Sequence, residues 1–330
     1  MKHYLILAIV YFCIAVAIVM ITRENGAMAL QTAWSKTATL VPVFGRIVVM
    51  FIAAGVIATV LTRVGSLRAV ITSVLMAFVA TLFFHSGFTL IKTSMPYITP
   101  FYADVALAQW DNLLHGGVDP WVFTHAMAEY LPMEWLIPFY LHIWVWPAIC
   151  LPVIIAATDQ DSGRRARTMV LYGMAWVLIG NVIALAGMSG GPVYFDRLYG
   201  GDMFGDLTAA IAQTPAISGY FGLIQDDLWM AFVTSEQSIG SGISAFPSVH
   251  LSIAMVAALY LWERAWLLGV IGAGFVLVIL FLSIYSGYHY ALDGYVSIAI
   301  MWSAWAMMRR WARVGMHEPA PIPLPAGQLA

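Results

Sequence analysis

The chain has 330 residues, of which 62% are apolar and only 10% charged, with a formal net charge of −2. A soluble domain carries roughly 25% charged residues, so the composition excludes a soluble globular protein and a disordered chain, and the charge offers no basic surface for nucleic acid. Long continuous apolar runs exclude a β-barrel, whose spans alternate over about 10 residues; the predicted class is an all-α polytopic membrane protein.

A helical span needs about 20 apolar residues. In chain order, the runs predict eight spans at about 4–21, 44–62, 69–91, 135–156, 168–187, 249–262, 265–285 and 287–308. The positive-inside rule orients them. With the N-terminus inside, Lys2, Arg63, Arg68, Arg164, Arg165, Arg167, Arg264, Arg309, Arg310 and Arg313 fall on the cytoplasmic side. Arg23, Lys36, Arg46, Lys92 and Arg197 fall outside, which leaves both termini cytoplasmic. Ala27-Met28-Ala29 has the pattern of a signal-peptidase site. The apolar run before it, about 18 residues, exceeds the usual 7–15 of a signal peptide, so the first span reads as retained. Cys13 and Cys150 sit in apolar runs and read as small hydrophobes.

Two outer segments, about 92–134 and 188–248, are longer than ordinary connections and rich in Trp, Tyr, Phe and Gly, which points to ordered, functional loops. Around 98–110 an interrupted apolar-aromatic stretch reads as interfacial, and Asp111 and His115 share a face there if helical. Three blocks result: membrane helices and an outer interfacial segment over 1–134, a catalytic helical bundle over 135–313, and a disordered Pro-rich tail over 314–330.

Polar residues at span ends are expensive and mark candidate sites. One cluster, Ala245-Phe246-Pro247-Ser248-Val249-His250, opens the sixth span. Pro247 suits the first turn of a helix, and the N–H groups there with the Ser248 hydroxyl make an anion site within reach of His250. Taken alone, a capped helix start with an interfacial histidine is the favoured explanation. The second cluster runs from Ser283 to Asp293 between the seventh and eighth spans. His289 and Asp293 are four apart, so on a helix the carboxylate meets the imidazole and fixes its tautomer. Such a pair also occurs simply as a self-satisfied polar contact. His142 and Asn181, inside spans, read as packing hydrogen bonds.

Taken together, Pro247-Ser248-x-His250 followed by Gly287-x-His289-Tyr290-x-x-Asp293 resembles the type 2 phosphatidic acid phosphatase superfamily over roughly residues 180–310. The resemblance implies His289 as nucleophile on phosphorus, Asp293 as its orienting partner and His250 as general acid, later base. The phosphatase branch also carries Lys-x6-Arg-Pro and Ser-Arg-x5-His. The first is not found here, and Leu282 and Ser283 stand at the Ser-Arg positions of the second. A phosphodiester carries one charge where a monoester carries two, so it needs fewer cations. These losses resemble the inositol phosphorylceramide synthase (aureobasidin-resistance protein) branch. Ser189-Gly190-Gly191-Pro192-Val193-Tyr194-Phe195-Asp196-Arg197 is similar to a Gly-Pro-Val-Tyr-Phe segment of bacterial members.

The branch implies a membrane lipid phosphotransferase that moves a phosphoalcohol headgroup from a glycerophospholipid to a lipid hydroxyl, with no metal or other cofactor. Its partners are a phospholipid donor, a lipid acceptor and the bilayer. It places the protein in a bacterial inner membrane with the site at the periplasmic face. Ser248, Arg197, Ser283, Tyr194, Tyr285 and Gly191 are the candidate phosphate or substrate contacts, although Arg197 equally fits an Asp–Arg pair pinning a loop. The rival readings are a lipid or polyprenyl phosphate phosphatase on the same fold, and a non-catalytic lipid transporter or scaffold, which predicts midplane charges and repeat symmetry.

Overall fold

The computed structural model describes residues 1–62, 66–214, 218–234 and 242–315. The Pro-rich tail beyond 315 lies outside them. The described residues are helical and contain no strand. Helices α1 (Lys2–Thr22), α2 (Gly26–Thr62) and α3 (Leu67–Ile98) form the first block. Two short helices follow, α4 (Asp104–Leu114) and α5 (Pro120–Ala128). Then come α6 (Met133–Thr158) and α7 (Ser162–Ala186). Three short helices cover one end: α8 (Pro192–Tyr199), α9 (Gly205–Gln213) and α10 (Leu223–Val233). The chain ends in α11 (Val249–Arg264), α12 (Trp266–Tyr285) and α13 (Ala291–Gly315).

Five of these, α1, α3, α6, α7 and α12, are long and apolar enough to cross a membrane. This makes the chain a helical membrane protein. The other three expected spans also fall in helices, but α11 has only 16 residues. At 1.5 Å per residue that is about 24 Å, short of the ~30 Å hydrocarbon core. The span read as ending at 91 continues as helix to Ile98, so Lys92 lies in the α3 helix and not in a loop.

Helix α6 is irregular for a visible reason. Pro138, Pro147 and Pro152 remove backbone donors along it. Two π-turns result, Phe139–Ile143 and Trp146–Cys150, and the Trp144 N–H donates to the Phe139 carbonyl five residues back. A third π segment, Met174–Ile183, lies in α7. The wider turns turn the faces of α6 and α7 toward α11. Between α11 and α12 small residues allow close approach: a Cβ on Gly272 would lie 2.6 Å from the Ala258 Cα. One apolar cluster, around Tyr140, Phe221, Leu251, Leu282 and Tyr290, surrounds the start of α11 and the α12–α13 turn. A second, around Phe84, Tyr172, Trp176 and Ile253, fills the remainder of the bundle.

Candidate active site

His289 lies in the turn just before α13, with Asp293 in the first turn of that helix. They meet across a helix start and not along one face, which corrects the expectation from spacing. The Nδ1 of His289 is 3.2 Å from Asp293 Oδ2. The same oxygen accepts the Tyr290 N–H at 3.1 Å, as an acidic side chain in a first helical turn does when it reaches back to the cap. Both residues are buried, and Asp293 Oδ1 has no partner. With Nδ1 turned to the carboxylate as a donor, Nε2 keeps its lone pair. Nε2 lies 3.2 Å from the Ser248 hydroxyl.

Ser248 caps α11 and accepts the Leu251 N–H at 3.3 Å. Pro247 therefore lies one residue outside the helix, not in its first turn as expected, and the Phe246–Pro247 peptide is cis. His250, in the first turn, stands 5.7 Å from His289 between ring centroids. Tyr140 stacks on His250 at 4.5 Å and 14° and runs parallel to Tyr288 at 6.2 Å. Trp144 approaches His250 to 4.2 Å, and its indole N–H donates to the His250 carbonyl at 3.0 Å. Phe221 meets Tyr140 and Tyr288 edge-on. The two histidines thus sit in an aromatic enclosure. On the far side of His289 a cavity with room for about one water, ≈ 10 Å³, is bounded by Asp111, Asp119 and Trp121.

The long outer segments are scaffolding for this turn. Asp104 accepts the Gly190 and Gly191 N–H groups, each at 2.8 Å, and the hydroxyls of Tyr290 and Tyr199 at 3.1 and 3.2 Å. Burial pushes its carboxyl up despite these four donors. Asp111 accepts the Ala291 and Leu292 N–H groups at the start of α13. His115 links α4 to Tyr295 at 3.0 Å. Gln225 donates to the Ser286 carbonyl at 2.7 Å, and the Val193 N–H to that of Gly287 at 2.9 Å.

Several expected phosphate contacts are engaged elsewhere. Gly191 gives its N–H to Asp104 and, at φ +89°, lets the loop press on the Tyr288 carbonyl. The Tyr194 hydroxyl donates to the Gln225 carbonyl at 3.0 Å. Tyr285 meets the His125 ring at 4.4 Å, tilted by 34°. Arg197, half exposed, pairs with Asp226 at 2.8 Å and lies over Trp229, so the pinned-loop arrangement is the one observed, with Asp226 as the acid. Ser248 and Ser283 remain at the site, and Ser283 Oγ is buried without a partner.

Sequence reasoning missed Lys92. Its ammonium interacts electrostatically with both His250 and His289. Lys92 packs on the backbone of Gly242, and its ammonium lies 5.9 Å from the Phe88 ring, which in turn reaches the space beside Val249. No carboxylate pairs with it among the described residues. A signal was present: Lys92-x6-Thr99-Pro100 keeps the lysine and proline of Lys-x6-Arg-Pro with threonine for arginine. No group of His, Cys, Asp or Glu among the described residues could hold a metal.

Residues 105–307 match the family model of the PAP2 superfamily. The chain belongs to the PAP2 superfamily. No curated protein and no solved structure matches it. Members of this superfamily are phosphatases and phosphotransferases, so this one is an enzyme of that kind. Lys92 and the rest of α1–α3 lie ahead of the matched residues.

Proposed function

We propose that this PAP2-superfamily protein is a membrane lipid phosphotransferase, moving a phosphoalcohol headgroup from a glycerophospholipid to a lipid hydroxyl in the manner of inositol phosphorylceramide synthases. The observation that carries this reading is the aromatic enclosure of Tyr140, Trp144, Phe221 and Tyr288 around His250 and His289. An enzyme that transfers rather than hydrolyses must keep water from its covalent intermediate.

The chemistry follows from the tautomer. Asp293 holds the Nδ1 proton of His289, and Nε2 attacks phosphorus of the donor diester. The bond from phosphorus to the diacylglycerol oxygen breaks, and protonated His250 supplies a proton to that oxygen. Neutral His250 then takes the proton of the acceptor hydroxyl, whose oxygen attacks the phosphohistidine and displaces His289. Lys92, the Ser248 hydroxyl and the start of α11 stabilise the phosphoryl oxygens. The placement that goes with this reading has eight spans, both termini in the cytoplasm, and the site at the outer, periplasmic face of a bacterial inner membrane. Residues 135–313 form the catalytic bundle and 1–134 shape lipid access.

The retained Lys92 and Pro100 favour a second reading, a lipid or polyprenyl phosphate phosphatase with water as acceptor. One experiment separates the two. Purified protein receives labelled phosphatidylinositol with and without a ceramide, and phosphatidic acid in parallel, beside His289→Ala. A new phospholipid that requires both acceptor and His289 supports transfer. Free phosphate from the monoester, indifferent to acceptor, would establish the phosphatase instead.

A further inference from the structure

The superfamily pattern places an arginine at the position of Ser283 and another at that of Thr99. The Tyr140 hydroxyl lies beside that of Ser283, and neither has any other partner. Tyr288, parallel to Tyr140, also holds a buried hydroxyl with no partner. Tyr140 and Ser283 are almost wholly inaccessible, at 3% and 1% exposure. Buried polar atoms are nearly always satisfied, so three buried hydroxyls in one enclosure beside two histidines, with no partner beyond the Tyr140–Ser283 contact, leave protons free for an acceptor-only ligand. A phosphoryl group has such oxygens.

We propose that Tyr140, Ser283 and Tyr288 are further phosphoryl-oxygen donors of the site, beside Ser248 and the start of α11, replacing charged guanidinium groups with neutral hydroxyls and thereby setting its charge selectivity. The inference rests on the reading above in which the donor is a phosphodiester. Among the described residues, Lys92 is the basic side chain within electrostatic reach of both histidines, and it carries at most one positive charge. Neutral donors orient dipoles toward an anion but do not cancel a second charge, which in a site of low dielectric stays uncompensated. A singly charged diester is matched; a doubly charged monoester is not. The π-turn at Phe139–Ile143 is part of the device, because it aims Tyr140 and Trp144 together at His250.

The test is direct binding at pH 8, where a phosphomonoester is mostly dianionic. Two probes differ by one methyl group and one charge: dihexanoyl phosphatidylmethanol and dihexanoyl phosphatidic acid. Titration against the intrinsic tryptophan fluorescence of the full-length protein should give at least tenfold tighter binding of the methyl diester. Tyr140→Phe, which removes one oxygen, should weaken diester binding about tenfold and narrow the preference. Ser283→Ala should do the same to a smaller degree, with melting unchanged. Equal or tighter binding of the monoester by the wild type, no binding of either probe, or an unaltered diester affinity in both variants would overturn the proposal. Failure of the transferase reading shows separately, as free phosphate from the monoester in the acceptor experiment, whereas failure of this inference shows as a diester affinity that Tyr140→Phe and Ser283→Ala both leave unaltered.

Discussion

Asp111 of α4 accepts the Ala291 and Leu292 N–H groups at 3.0 and 2.9 Å, and so caps from outside the helix that carries Asp293. Two carboxylates therefore share one helix start, Asp293 taking the Tyr290 N–H and Asp111 the next two. Such a cap contributes about 0.5–2 kcal/mol. Asp111→Ala should lower stability by about that amount and turnover by more, because the His289 turn loses its anchor. Asp111→Asn, which keeps one acceptor oxygen, should recover part of both. Melting in detergent and the turnover rate check this; an Ala variant with the wild-type midpoint and rate would remove α4 from the positioning of the site.

The proposed division of labour between the histidines gives separable kinetics. His289→Ala should abolish transfer. Asp293→Asn keeps the shape but unsettles the tautomer, and should slow the reaction by about 10³–10⁴, as in a serine-protease triad. His250→Ala should be slow with a lipid alkoxide leaving group and much less impaired with a p-nitrophenyl diester, which leaves without a proton. A His250→Ala variant equally slow with both leaving groups would rule out its role as acid.

The candidate site was legible as a cluster because it is local: Ser248, His250, His289 and Asp293 stand in two short stretches, and the structure brings them together. The helical class followed from apolar runs. Lys92, Tyr140 and Trp144 were not legible because each comes from a distant helix, and the side of α6 that faces His250 depends on a π-turn that simple 3.6-residue periodicity misses. The hydrogen-bond partners of Gly191, Tyr194 and Arg197 were not legible for a related reason. Their competitors, Asp104, Gln225 and Asp226, lie 29 to 87 residues away in the chain. Nothing in a sequence window shows that a carboxylate will already occupy a pair of glycine amides.

Gly191→Ala tests how tightly that loop is built. The residue has φ +89°, and an added Cβ would lie 2.4 Å from the Tyr288 carbonyl oxygen. A left-handed conformation alone costs an L-residue roughly 1–2 kcal/mol, and the neighbour is backbone beside His289, which cannot yield cheaply. The variant should lose about 2 kcal/mol or more and most of its activity. Gly200→Ala, also at positive φ but with open space around the position, should cost only the conformational part. Comparable melting for the two variants would show that the loop relaxes freely from the Tyr288 turn.

The bundle end opposite the site is tied by charge. Asp159, between α6 and α7, accepts two hydrogen bonds from Arg164, at 2.7 and 2.6 Å, with Arg264 3.9 Å away. Arg167 pairs with Glu263 of α11, which also accepts the Trp305 indole N–H of α13 at 2.7 Å. Burial pushes the Asp159 carboxyl up, but the Arg164 hydrogen bonds, the Asp161 N–H and the nearby guanidinium charges outweigh it and hold the group below its ordinary range. A carboxyl whose folded pKa lies below its unfolded value of about 3.9 binds its proton first in the unfolded chain. The stabilisation is therefore complete at neutral pH and is lost as pH falls below about 5 and through the folded value. Asp159→Asn leaves Arg164 with Asp161, 3.8 Å away, as its remaining carboxylate beside the Glu263 carbonyl, and should cost about 2–4 kcal/mol at pH 7. The gap between wild-type and variant melting points should narrow on acidification from pH 6 to pH 3. A gap that stays constant over that range would show that the Asp159 charge contributes nothing to holding α6, α7 and α11 together.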